Sequence, residues 1–363
     1  MGIIKGFIDT VNESLIKGWA FEEGIESPII IKVYIDDVLI SHNLADIHRP
    51  GILQKGLHPT GNCEFQMKPP ENLLKENSII RIYAGETNKE LNNSPWVCEN
   101  LRVLIVGLAK SGTSILTYRI AEAISDSKIF FEPNGAKGFN DLDLHLNICE
   151  NNKVVTKCLF PWHDKQNKDN FKRISRLYEK KIWIIRDPRD NIISNYLYMW
   201  NTSYNAPKEK FEAALKMTRE KEKNPTSIPF YKLFKTLNDP ELFVTKQYDA
   251  ILRQVAETQS DWHILKYEDL VSENLTSLNN YLGLEVNTNA TVPENLNRVV
   301  RSKKSGNWRE WFTEEDIVFY KPIMEKYLNF FNYDADDWVL SAHPELPSNK
   351  GSEYMNKLHH GKL

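Results

Sequence analysis

The chain is short of cysteine, of any surplus of basic charge and of long apolar runs, and each shortage removes a class of protein. Its four cysteines, Cys63, Cys98, Cys149 and Cys158, stand neither in a C-x-x-C pair nor at a zinc-like interval from a histidine. That sets aside a structural zinc site and a disulfide framework, and leaves reduced, mostly buried thiols as the expectation. Lysines and arginines number 46 against 49 aspartates and glutamates, a net charge of −3, whereas a nucleic-acid binder needs a large basic excess. No nucleic-acid partner is expected, and any basic character that matters must be local. The apolar runs are too short to span a bilayer. The N-terminus also lacks a basic stretch followed by an apolar signal core. A cytoplasmic protein without a transmembrane segment is predicted. What is present is 363 residues, enough for two domains with real cores.

The pattern of residues changes near Trp96 to Asn100. Before it, β-branched runs such as Ile29-Ile30-Ile31-Lys32-Val33-Tyr34-Ile35 and Ile79-Ile80-Arg81-Ile82-Tyr83 are separated by Gly-, Asn- and Pro-containing breaks. Short strands with turn signals between them predict a small antiparallel β-sandwich over residues 1–98. From residue 101, apolar strands alternate with amphipathic helices, which predicts a parallel sheet with right-handed crossovers. The strands are expected at 103–106, 128–131, 154–158, 182–185 and 263–266, and helices at 113–125, 190–200, 208–223 and 314–331. This second domain is expected to run from 101 to 340, with 341–363 as a C-terminal tail.

Three segments of the second domain carry chemistry. The first is Leu101-Arg102-Val103-Leu104-Ile105-Val106-Gly107-Leu108-Ala109-Lys110-Ser111-Gly112-Thr113-Ser114, an apolar strand that breaks into a small-residue loop and opens a helix. Unpaired N–H groups at a helix start, with the positive end of the dipole behind them, hold a phosphate-like anion. A nucleoside triphosphatase loop needs G-x-x-x-x-G-K-[ST]. Here Gly107 and Gly112 keep that spacing, but Thr113 follows the second glycine and the lysine has moved into the loop as Lys110. The usual magnesium arrangement is missing, so an anion site without a metal is expected.

The second segment, Ile182-Trp183-Ile184-Ile185-Arg186-Asp187-Pro188-Arg189-Asp190-Asn191-Ile192-Ile193-Ser194, again runs from a strand into a helix. Pro188 suits a first helical turn, and Asp187 and Asp190 suit its N-terminus. Arg186 falls at the strand end and Ser194 two turns into the helix. The bland alternative is that Arg186 pairs with a neighbouring acid and Ser194 fills a small gap. The third segment, Arg301-Ser302-Lys303-Lys304-Ser305-Gly306-Asn307-Trp308, is a basic run ahead of a helix that starts at Thr313.

Together these segments resemble sulfotransferases that use 3′-phosphoadenosine 5′-phosphosulfate (PAPS), over roughly residues 101–334. The resemblance implies an α/β fold: a P-loop-like parallel-sheet sulfotransferase domain preceded by the small antiparallel β-sandwich. It implies that Lys110, Ser111, Gly112, Thr113 and Ser114 hold the 5′-phosphosulfate, and that Arg186 and Ser194 clasp the 3′-phosphate. The third segment resembles the late R-K-G-x-x-G-D-W loop that closes over that phosphate, assigning Arg301, Ser302 and Lys303 to it. Asn307 replaces the aspartate there, and Ser302-Lys303 replaces Lys-Gly. PAPS is then the donor and 3′-phosphoadenosine 5′-phosphate (PAP) the product. The departing oxygen gains charge that Lys110 can meet, and no metal is required.

The acceptor hydroxyl needs a base. Ile129-Phe130-Phe131-Glu132-Pro133 resembles the F-E-P segment of carbohydrate sulfotransferases, which implies Glu132, a carboxylate leaving an apolar strand where partial desolvation would favour proton uptake. Its bland alternative is pairing with a lysine or capping a helix. Cytosolic small-molecule relatives use a histidine in K-T-H-L; here Lys157-Cys158-Leu159 has none, and His163 is the reserve candidate. Ile115 stands where those relatives place an aromatic residue against adenine. The acids of Tyr267-Glu268-Asp269-Leu270 are expected to start a helix. In the first domain, Gly6-Phe7-Ile8-Asp9, Ile16-Lys17-Gly18-Trp19-Ala20 and Ala45-Asp46-Ile47-His48-Arg49-Pro50 resemble a β-rich accessory domain of some bacterial glycan-modifying enzymes. Trp19 is there either a sugar platform or core. A carbohydrate hydroxyl is the acceptor most in keeping with these signals. Small alcohols, phenols or lipids, a P-loop kinase and a catalytically silent glycan-binding protein are the alternatives, and the oligomeric state is open.

Overall fold

Alternation builds the first part of the chain. In the strand Ile30–Ile35 the burial repeats with period two, placing Ile31, Val33 and Ile35 inside. The computed structural model describes residues 2–11, 15–69, 78–97, 100–160, 168–286, 290, 293, 296 and 304–362. These fall into two units, Met1–Asn100 and Leu101–Leu363.

The first unit carries strands β1 (Ile4–Val11), β2 (Ile16–Glu22), β3 (Ile30–Ile35), β4 (Val38–Leu44), β5 (Ile47–His48), β6 (Asn62–Met67), β7 (Ile79–Ala84), β8 (Lys89–Glu90) and β9 (Trp96–Val97), with a short helix α1 (Pro50–Gln54). They pair antiparallel in two sheets, β1-β2-β6-β5 and β4-β3-β7-β8, with β9 on β7. One cluster draws Ile8, Ile16 and Phe65 from the first sheet and Ile31, Val33 and Ile82 from the second. Each such side chain contributes about 1.5–3 kcal/mol of burial. Trp19 packs against a satellite cluster of Phe21, Ile52 and Cys63, its ring 5.7 Å from that of Phe21 and stacked on it.

The second unit is a sheet with a helical layer on each face. Its strands are β10 (Leu101–Gly107), β11 (Lys128–Phe131), β12 (Lys153–Leu159), β13 (Lys180–Ile185) and β14 (His263–Lys266). Its helices are α2 (Thr113–Ala123), α3 (Leu142–Ile148), α4 (Lys168–Ser175), α5 (Pro188–Tyr198), α6 (Lys208–Lys223), α7 (Phe230–Phe234), α8 (Pro240–Thr258), α9 (Tyr267–Val271), α10 (Thr276–Leu282), α11 (Trp308–Trp311), α12 (Glu314–Phe330) and α13 (Ser352–His359). All pairings in the sheet are parallel, in the order β11-β12-β10-β13-β14.

Strand alternation sorts the core into two faces. Val103, Ile105, Ile182 and Ile184 join Leu116 and Ile120 of α2 in one cluster. Leu104, Val106, Trp183 and Ile185 join Ile192, Ile193 and Tyr196 of α5 in the other. The chain therefore leaves β10 toward one face and β13 toward the opposite face. Neighbouring strands whose exits diverge in this way open a crevice beyond their carboxyl ends, where ligands of open α/β sheets bind.

Residues 341–363, which read as a tail, contribute to this core. Glu222 of α6 accepts the Ser352 N–H at 2.5 Å and the Ser352 hydroxyl at 2.6 Å, starting α13. Tyr354, Met355 and Leu358 are then buried in the α5 cluster. Cys63, Cys149 and Cys158 are free and buried, and Cys98 lies outside the described residues. Among the described residues, no helix is long and apolar enough to cross a membrane.

Candidate anion-binding site

The loop between β10 and α2 sits at the mouth of this crevice, and its two glycines are dictated by contact. A Cβ on Gly107 would stand 2.5 Å from the carbonyl oxygen of Ile184, so β13 could not approach. Gly112 has a φ of +89°, and a Cβ there would lie 2.5 Å from Cδ2 of Tyr267. Lys110 is also left-handed, with a φ of +66°, a conformation that costs a non-glycine residue about 1–2 kcal/mol. Left-handed residues within a tight turn suit a nest of N–H groups converging on an anion.

A loop that offers its N–H groups to an anion must satisfy its carbonyls elsewhere. The start of α5 does this. Nδ2 of Asn191 donates to the Ala109 carbonyl at 2.9 Å, and Nη1 of Arg186 donates to the Lys110 carbonyl at 3.0 Å. Asn195, one turn on, donates to Oδ1 of Asn191 at 2.8 Å and so fixes which way that amide faces. Ser111 and Thr113 are buried and Ser114 half-buried.

Arg186 directly follows β13 and is 5 % exposed. Its guanidinium lies 4.3 Å over the ring of Tyr267, and Nη2 is 3.9 Å from Oδ2 of Asp190. Its Nε–H is buried and has no hydrogen-bond partner among the described residues. A buried donor left unused costs stability, so this one, beside an anion loop, fits the phosphate-bearing donor that the sequence resemblance implies. Ser194 is buried on α5, which begins two residues after Arg186.

Asp187 behaves as the sequence predicts, accepting the Arg189 N–H at 2.8 Å as the cap of α5. Asp190 does something else. Its two carboxylate oxygens accept the Gly306 N–H at 2.7 Å and the Trp308 N–H at 2.9 Å. Burial pushes this carboxyl up from its ordinary value, while Arg186 and the two N–H groups pull it back. The late segment is thereby tied to the helix that follows Arg186. Trp308 is gripped further by Arg189 and Arg309, whose guanidinium carbons lie 4.3 and 4.4 Å from its ring centroid. Arg301, Ser302, Lys303 and His163 lie outside the described residues.

Glu132 directly follows β11 with a φ of +50°. The β11–β12 register sets Phe131 opposite Lys157, and the Glu132 N–H donates to the Lys157 carbonyl at 2.8 Å. The carboxylate, one-third exposed, makes an ion pair with Nζ of the buried Lys157. This is the pairing with a lysine that the sequence offers as the alternative to a base, and the lysine is a buried one. Burial draws the Lys157 amine below its ordinary value, and Glu132 opposes this. Lys110 turns its Nζ to 3.8 Å above the centroid of the Tyr198 ring. Ile115 packs against the α2-side core, and Glu268 accepts the Tyr333 hydroxyl at 2.7 Å within the first turn of α9.

The structure thus brings Lys110 and Arg186 into direct contact, carries Ser194 on the helix that anchors the loop, and pairs Glu132 with Lys157. Asn191, Asn195, Tyr198 and Tyr267 were not singled out from the sequence. One signal was available for the asparagines: two amides four residues apart on a helix whose surroundings are apolar.

Residues 101–332 match the family model described as the sulfotransferase domain. No curated protein matches the chain. Among solved structures, mouse sulfotransferase SULT7A1 complexed with PAP is similar at 17 % identity and a TM-score of 0.41, over 64 % of this chain and 86 % of that one. Retinol dehydratase in complex with androsterone and the inactive cofactor PAP is similar at 15 % identity and a TM-score of 0.37, over 72 % of this chain and 92 % of that one.

Proposed function

The chain belongs to the sulfotransferase domain family, and on that premise we propose that it moves the sulfuryl group of PAPS to a carbohydrate hydroxyl in the cytoplasm. The observation that carries the donor half of this reading is the buried, unpartnered Nε–H of Arg186 beside a loop whose Ala109 and Lys110 carbonyls are already satisfied. When bound, PAPS supplies the activated sulfuryl group on a good leaving oxygen. The protein's part is to hold and orient. The loop 110–114 offers N–H groups and an ammonium to the 5′ end, and Arg186 with Ser194 serves the 3′-phosphate. The basic run at 301–303 is assigned to the same phosphate, on the strength of the tie between Asp190 and Gly306.

For the acceptor half, Glu132 is the base. It stands at the carboxyl edge of the sheet, one-third exposed, and its carboxylate can take a hydroxyl proton at an oxygen not engaged by Lys157. The absence of a histidine in Lys157-Cys158-Leu159 supports this assignment over the small-molecule alternative. The test is incubation with radiolabelled PAPS, offering fractionated glycans beside simple alcohols, phenols and lipids. Label is expected in glycan fractions; label confined to the small acceptors would sink the carbohydrate reading.

Residues 1–98 are proposed as a separate accessory domain that takes no part in donor binding, since every donor candidate follows Leu101. A chain beginning at Asn100 is expected to retain PAP affinity. Loss of PAP binding by that shorter chain, while still folded by circular dichroism, would show the division of labour to be wrong.

A further inference from the structure

We propose that Tyr198 is a positioning residue for Lys110, its ring face holding the lysine ammonium in place before the donor arrives. The proposal rests on the reading of Lys110 as the cation of the anion loop. Nζ of Lys110 lies 3.8 Å from the Tyr198 ring centroid, inside the range in which a ring quadrupole attracts an ammonium. Both residues are half-buried, so the contact is only partly screened by water.

The placement follows from the helix. Tyr198 is one turn after Ser194 on α5, the helix whose first turns also bring Asn191 to the Ala109 carbonyl. Arg186, just before that helix, holds the Lys110 carbonyl. One helix and the residue preceding it therefore fix the loop's backbone, while the ring further along fixes the side chain. Tyr198 is itself buttressed edge-on by Tyr204, with ring centroids 6.3 Å apart. The lysine has a flexible four-carbon stem, and ordering it costs rotamer entropy at the moment of binding. A ring that orders it beforehand lowers that cost, which is the gain expected of preorganisation.

The experiment uses the full chain and two variants, Tyr198→Phe and Tyr198→Leu. Reductive methylation with ¹³C-formaldehyde labels the lysines, and Lys110→Arg identifies the Lys110 methyl signal. In the wild type and in Tyr198→Phe that signal is expected upfield, shifted by the ring current; in Tyr198→Leu it should return to the position of an ordinary lysine. Calorimetry with PAP on unmodified protein is expected to give affinity about 2- to 5-fold weaker for Tyr198→Leu, with Tyr198→Phe near wild type. A wild-type signal without a ring-current shift overturns the proposal, as does an unchanged PAP affinity in Tyr198→Leu. Failure of the wild type itself to bind PAP would overturn the donor-site reading and this proposal with it, and is distinguished because no variant is involved.

Discussion

Glu132→Gln is expected to lower turnover by about 10²–10⁴-fold, the range that a positioned general base contributes, while PAP affinity stays close to wild type. The amide keeps the shape of the carboxylate and loses its basicity. The ion pair with Lys157 makes the outcome informative in a second way. If Glu132 serves only to neutralise that buried amine, the substitution strands an ammonium with 3 % side-chain exposure. The loss then shows in stability alone, and turnover of the protein that remains folded is near normal. Thermal unfolding and turnover measured on the same preparation separate the two roles. Near-normal turnover would remove Glu132 from the chemistry and make His163 the next residue to test.

Lys110→Ala is expected to impair both binding and turnover, which sets it apart from Glu132→Gln. One charge-assisted contact to a phosphate-like oxygen is worth about 1.5–3 kcal/mol, so PAP affinity should fall by about 10-fold or more. Turnover should fall by about a further 10²–10³-fold, the cost of removing a preorganised donor from developing negative charge. Lysine at this position also sits at a φ of +66°; alanine carries the same backbone penalty, so the change reports on the ammonium and not on the turn. Wild-type turnover in Lys110→Ala would show that the loop holds the donor through its backbone alone.

Local signals made most of the sheet legible. The five strands of the second unit stand on the apolar runs, three of which end in charge, and their ends differ from expectation by at most a few residues because ladders extend as far as neighbours allow. Non-local partners were not legible. Asp190 reads as a helix-start acid, yet its acceptors' work is for Gly306 and Trp308, far along the chain. Residues 352–359 look too polar for a core helix, and α13 forms because Glu222 supplies its cap. Glu132 reads as a base or as the partner of a lysine, and only the β11–β12 register shows that the lysine is Lys157. The anion loop was legible in its glycine spacing, whereas the amides that turn its carbonyls outward come from another helix and leave no trace in the loop itself.

The most direct test of the donor site is a calorimetric titration of the wild-type chain and Arg186→Ala with PAP, with adenosine 5′-monophosphate and with magnesium-ATP. A site built around the unpartnered Nε–H of Arg186 should bind PAP without added magnesium and bind the nucleotide lacking the 3′-phosphate much more weakly. Arg186→Ala should erase most of that difference. Equal affinity for PAP and adenosine 5′-monophosphate, or tight binding of magnesium-ATP in preference to PAP, would contradict the account.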